Sequence, residues 1–234
     1  MATLDINELE ACINSLGKKF LMYPYNFFTE TDAHAFLFYY MFRYSTRAFK
    51  IPHSCKKQGK TVLIHREYPT VSKFKRKPKM VRDPGGTRGH YDLAVLNPEF
   101  MEVHTIPQIM MAKFNDIDLG NPINLFAAIE FKFIKSSLTP GMRREIGNDI
   151  IKLSWALEPF NNLWPRQSIN AYALVFNRSQ PDESFQNELR MLAGKHPQVR
   201  VLYIESVPGK EKHSVVKYLN DWTNKINSKR IRDK

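Results

Sequence analysis

Four residues stand where an apolar strand would ordinarily admit none of them. Glu67 follows Ile64-His65-Arg66, Asp92 lies inside "HYDLAVL", and Glu130 and Lys132 sit at the centre of "INLFAAIEFKFIK", residues 123–135. Successive strand residues face opposite ways. Glu130 and Lys132 therefore share a face with Ala128 and Ile134, leaving Ile129, Phe131 and Phe133 on the other. Likewise Asp92 shares a face with Ala94 and Leu96. A carboxylate in such a strand is costly unless it is paired or bound to a metal. Singly, each reads as an edge charge or a structural ion pair. Three in succession, the last with a lysine two residues on, read as one site for the chemistry of charged groups.

The elements that would carry them follow from periodicity. Residues 5–20 suit a short helix with Leu9, Cys12, Ile13 and Leu16 on one side. Residues 27–49 suit a longer one, capped by Thr29 with Asp32 reaching back, and Glu30 and Asp32 complement its positive N-terminus. Its aromatics run round most of the circumference, which predicts burial against two neighbours. "TVLIHREYPT" (61–70) reads as a strand ending at Pro69, followed by a basic, turn-rich loop with Pro84-Gly85-Gly86 at its tip. A second strand spans 90–98, and 99–122 reads as an insertion without clean period. Beyond the 123–135 strand, Ile146, Ile150, Leu153 and Leu157 mark the clearest helix. Strands at 169–178 and 199–207, a helix at 182–195 and a closing helix at 213–226 complete the pattern. That order implies an α/β fold with a mixed sheet and helices on both faces.

Bulk composition narrows the partners. The 234 residues carry a formal net charge of +12, unevenly placed. Between Lys56 and Arg88 eleven Lys/Arg face two acids, and "NKINSKRIRDK" ends the chain. Basic patches of this kind attract polyanions by counterion release, so nucleic acid is the favoured partner. Lys73, Lys75, Arg76, Lys77, Lys79, Arg82 and Arg88 are the candidate contacts. The bland reading is a solvated basic face. Two cysteines make no disulfide framework, and His53 with Cys55 lacks a second pair at zinc spacing. The N-terminus lacks the basic and apolar regions of a secretory signal. The richest apolar run, 35–42, stops at Arg43, short of the roughly 20 residues that span a bilayer. The expectation is a cytoplasmic protein that meets no membrane.

Glu67, then Asp92 in "RGHYDLAVL", then "IEFK" at 129–132, resembles the metal-dependent PD-(D/E)XK nuclease superfamily. The helix segment Asp149-Ile150-Ile151-Lys152-Leu153 is similar to a D-I-x-K-L helix of some uncharacterised branches of it. The resemblance spans roughly 60–206 and omits the N-terminal helices and the 99–122 insertion. Tyr91, not proline, precedes Asp92, and the interval from Asp92 to Glu130 is long. The resemblance implies a restriction-endonuclease-like core with a central mixed β-sheet flanked by helices. An N-terminal helical portion (1–55) would pack on a nuclease core (56–234). It implies a Mg²⁺ ion, with Mn²⁺ as substitute, on Asp92, Glu130 and the carbonyl of Phe131. Lys132 would orient a water or offset phosphate charge, and Glu67 would hold Lys132, a metal-bound water or a second ion. His90, Asp149 and Lys152 form a second tier. The implied activity is phosphodiester hydrolysis, of DNA before RNA, with a homodimer where both strands of a duplex are cut. The alternative is a module on the same fold that holds nucleic acid or protein without turnover.

Overall fold

The computed structural model describes residues 4–43, 49–51, 59–75, 80–83, 85–103, 109, 124–163, 169–179, 181–206 and 215–219. The chain opens with helices α1 (Ile6–Met22) and α2 (Glu30–Phe42). A small antiparallel pair follows, β1 (Phe49–Ile51) and β2 (Gly59–Thr61). Next come β3 (Ile64–Lys75), β4 (Val81–Arg82), β5 (Thr87–Leu96) and the short helix α3 (Pro98–Val103). The remainder is β6 (Leu125–Ile134), α4 (Pro140–Leu163), β7 (Asn170–Asn177), α5 (Glu183–Lys195), β8 (Val199–Glu205) and β9 (Val215–Tyr218). One seven-stranded sheet runs in the order β4-β3-β5-β6-β7-β8-β9. Its centre, β6-β7-β8, is parallel and both flanks are antiparallel. The mixed α/β sheet read from the sequence is therefore present.

Strand alternation decides which helices cover which face. Phe131, Phe133 and Phe176 turn toward α1 and α2, where Phe20 meets Phe27, Phe133 and Phe176 edge-on with ring centroids 5.2, 6.0 and 5.1 Å apart. Edge-on aromatic pairs add about 0.5–1.5 kcal/mol beyond the area they bury. On the opposite face α4 lays down Ile146, Ile150, Leu153 and Leu157, all buried, and Phe185 of α5 meets Tyr203. Leu9, Cys12, Ile13 and Leu16 of α1 are buried in the same apolar cluster as β5 to β8, so the N-terminal helices belong to one core with the sheet.

Several elements depart from expectation. β3 does not stop at Pro69 but continues to Lys75, converting half of the basic loop into a hairpin with β4. Proline is tolerated there because, among the described residues, β4 pairs only with Phe74 and Lys75 and nothing pairs with the other edge at Pro69. α2 packs against both α1 and the sheet, with Ala33, His34, Leu37 and Met41 buried, but Tyr39 and Phe42 are exposed, so its aromatics are not all covered. Val215–Tyr218, expected to begin a closing helix, is instead an edge strand antiparallel to β8. Two adjacent β-branched residues, Val215 and Val216, favour that pairing; residues 220–234 lie outside those described. Within the 99–122 insertion the described part is α3 and Ile109, whose carbonyl accepts from the Tyr68 hydroxyl at 2.7 Å. No described helix is long and apolar enough to cross a membrane.

The turn between β4 and β5 closes tightly against β3 at Gly86. A Cβ at that position would lie 2.5 Å from the Phe74 carbonyl oxygen and 3.0 Å from that of Asp83. Backbone cannot give way as a side chain can, so Gly86→Ala should cost about 1–3 kcal/mol. The melting temperature should fall by about 2–4 °C for each kcal/mol. Gly85→Ala, which meets only the Asp83 carboxylate at 3.3 Å, is the control and should melt like wild type.

Candidate active site

The ladder from β3 through β5 to β6 sets three acids in one row. Arg66 pairs with Leu93 and Tyr68 with Tyr91, which puts Glu67 opposite Asp92; Leu93 pairs with Ile129, which puts Asp92 beside Glu130. Glu67 has φ of 51°, a left-handed conformation that non-glycine residues seldom adopt, and the ladder skips that position. Beyond Leu93 the β5–β6 pairing ends. Asp92 Oδ2 takes over there, accepting from the Phe131 backbone N–H at 2.7 Å. Glu67, His90, Asp92, Glu130, Lys132, Asp149 and Lys152 line one cleft of about 1060 Å³, with Arg144, Asn148 and Trp155 of α4 on its rim.

The lysine assignments change on inspection of the contacts. Glu130 is 2% exposed and its Oε2 accepts from Lys152 Nζ at 2.7 Å, not from Lys132. Lys132 instead lies 3.1 Å from Asp149 and 3.4 Å from Glu30, and donates to the Phe131 carbonyl at 2.9 Å. Glu67 is not its partner. Residues two apart on a strand are held roughly 6.6–6.8 Å apart, whereas α4 crosses directly over Glu130 and lowers Lys152 onto it. Lys152 Nζ also lies 3.3 Å from Asp149 and donates to the His90 carbonyl at 3.1 Å. Lys152 and Asp149 therefore face the site rather than forming a surface pair.

Burial governs the charge states. It pushes the Glu130 carboxyl well above the usual carboxylate range, against the pull of Lys152. Burial also acts to lower both lysines, but Glu130 and Asp149 around Lys152, and Asp149 and Glu30 around Lys132, outweigh it and hold each ammonium above its ordinary value. Both cations stay charged.

Two residues at the site escaped the sequence reading. Glu30 and His34, one helical turn apart on α2, approach Asp92 from the face of the sheet opposite α4; Glu30, His34 and Asp92 offer ligand atoms all within 4.8 Å of one another. Asp32, not Glu30, secures the helix start, accepting from the Phe28 and Thr29 N–H groups at 2.7 Å each. His34 is 4% exposed, its ring centroid is 4.4 Å from that of Phe131, and its Nε2 is 3.8 Å from Asp92 Oδ2. Burial holds the imidazole below its ordinary pKa, against Asp92, so it is neutral near pH 7. The signal in the sequence was the four-residue spacing of a carboxylate and an imidazole.

The comparisons assign no relative. This chain matches no family model, no curated protein and no solved structure.

Of the basic candidates, Lys73 and Lys75 are exposed on β3, and Arg88 lies opposite Lys73 in the ladder. Arg82 donates to the Trp155 carbonyl at 2.6 Å, which ties the hairpin to the cleft rim. Arg76, Lys77 and Lys79 lie outside the described residues. The donor set suits a divalent cation. Glu130 Oε1 is buried without a hydrogen-bond partner, and Asp92 has a second oxygen besides the one on Phe131. Glu130 Oε2 and the Phe131 carbonyl, by contrast, already hold lysine ammoniums.

Proposed function

We propose that this protein is a divalent-metal-dependent nuclease, hydrolysing phosphodiester bonds in DNA before RNA, on a PD-(D/E)XK, restriction-endonuclease-like core. The observation that carries the reading is the cross-strand row of Glu67, Asp92 and Glu130 in one cleft with two charged lysines. Asp92 and Glu130 would hold Mg²⁺ or Mn²⁺, hard cations that take oxygen ligands. When bound, such a cation polarises the phosphodiester and acidifies a water. The chain's own groups do the rest. Lys132, anchored by Asp149 and Glu30, sets a fixed positive charge beside the scissile phosphate. Asp92 holds the freed end of β6 through the Phe131 N–H and so fixes where Glu130 and Lys132 project. Lys152 keeps Glu130 oriented. Lys73, Lys75 and Arg88 supply the phosphate contacts that position a strand without reading its sequence.

The test is a panel of duplex, branched and single-stranded DNA and RNA with added Mg²⁺ or Mn²⁺. Cleavage by wild type and none by Asp92→Ala is the expected result; no cleavage of any substrate with either metal overturns it. One observation favours the alternative of a binding module without turnover: Lys152 on Glu130 and Lys132 on the Phe131 carbonyl occupy oxygens a metal would use. Calorimetry discriminates, because a module would bind DNA in a salt-sensitive manner and take up no Mg²⁺ or Mn²⁺.

A further inference from the structure

We infer that Glu30, His34 and Asp92 form a transition-metal site, sharing Asp92 with the Asp92–Glu130 pair, that prefers Mn²⁺ or Zn²⁺ to Mg²⁺. Three independent features converge on it. The first is geometric: the ligand atoms of the three residues lie within 4.8 Å of one another. They come from two elements fixed separately, α2 by the Asp32 cap and β5 by its ladder to β3 and β6.

The second is an unmet demand. His34 is 4% exposed, yet neither ring nitrogen has a hydrogen-bond partner. A buried polar group left unpaired costs about 1–3 kcal/mol. The ring is clamped over Phe131 with Nε2 aimed at Asp92, 3.8 Å from Oδ2: too long for a hydrogen bond, but with room for an ion to serve both. Phe or Leu would fill this volume without that cost.

The third is the donor set, which decides the cation. Mg²⁺ is held by oxygen and water, whereas an imidazole beside carboxylates suits first-row transition metals. The inference stands whether or not the cleft turns over nucleic acid, and its readout is metal binding.

The experiment is pulsed electron paramagnetic resonance on the full chain loaded with one equivalent of Mn²⁺, together with calorimetric titration. Wild type should show nitrogen modulation from a directly bound imidazole, and equimolar Mg²⁺ should not displace the Mn²⁺. His34→Gln should abolish the nitrogen signal, and Glu30→Gln should weaken Mn²⁺ binding at least tenfold. Glu30 is one-third exposed, so its isosteric amide keeps the fold; a wild-type melting curve without metal verifies that for both variants. Mn²⁺ bound without nitrogen coupling, no Mn²⁺ uptake by wild type, or affinity unchanged in Glu30→Gln each overturns the inference. Mg²⁺-supported cleavage without a nitrogen signal would sink this site and leave the nuclease reading intact. A nitrogen signal without cleavage would do the reverse.

Discussion

Asp92→Ala should abolish metal-dependent cleavage, lowering its rate by at least about 10³. Several kcal/mol of electrostatic stabilisation are at stake, and each 1.36 kcal/mol is a factor of ten. The residue stands at the junction of everything in the cleft: it faces Glu130 across β5–β6, lies 3.8 Å from His34, and accepts from the Phe131 N–H. Its loss would remove a proposed metal ligand and leave the Phe131 N–H without its acceptor, while β6 stays paired to β7 on its other side. Asp92→Asn separates the two effects, because the amide oxygen still accepts the Phe131 N–H while the charge is gone. Single-turnover rates should then show Asn close to Ala. Wild-type-like cleavage by Asp92→Ala, or by Lys132→Ala, would remove those residues from the site.

Lys152→Met should be the most destabilising single change at the site. Glu130 is 2% exposed, and Lys152 is its ion-pair partner at 2.7 Å. Removing one member of a buried pair leaves an uncompensated charge and costs about 3–5 kcal/mol, a large part of the roughly 5–15 kcal/mol that holds a domain folded. The melting temperature should fall by roughly 6–20 °C. The double variant Glu130→Gln, Lys152→Met should recover most of that, since it removes both charges. Denaturant titration of the single and double variants closes the cycle. A single variant within about 1 kcal/mol of wild type would mean that Glu130 is not held as described.

The sequence made the central strands legible and their partners illegible. Alternation in "AIEFKF" placed Glu130 and Lys132 on one face, and the sheet agrees, because a one-residue slip would have turned Phe131 out of the core. That alternation says nothing about what crosses above the strand. The partner of Glu130, Lys152, depended on the path of α4, twenty-two residues on, which no local pattern in β6 could show. α2 misled for a different reason. Its acids had a sufficient local role at the helix N-terminus, and its aromatics suggested a core. Only tertiary packing shows that Asp32, with Thr29, does the capping while Glu30 and His34 face Asp92. Pro69 misled because whether a proline ends a strand depends on whether its far edge is paired, and among the described residues nothing pairs there.

The contact between Glu30 and Lys132 spans 102 positions, and that between His90 and Lys152 spans 62. A pocket stitched from such distant segments cannot exist on a growing chain until α4 has left the ribosome. Non-local closure is also the slow part of folding. Partial chains and early folding intermediates therefore lack the assembled cleft, which closes last. In refolding, uptake of Mn²⁺ should track the slowest phase seen by intrinsic fluorescence; uptake in an earlier phase would mean that α2 and β5 assemble their ligands without α4.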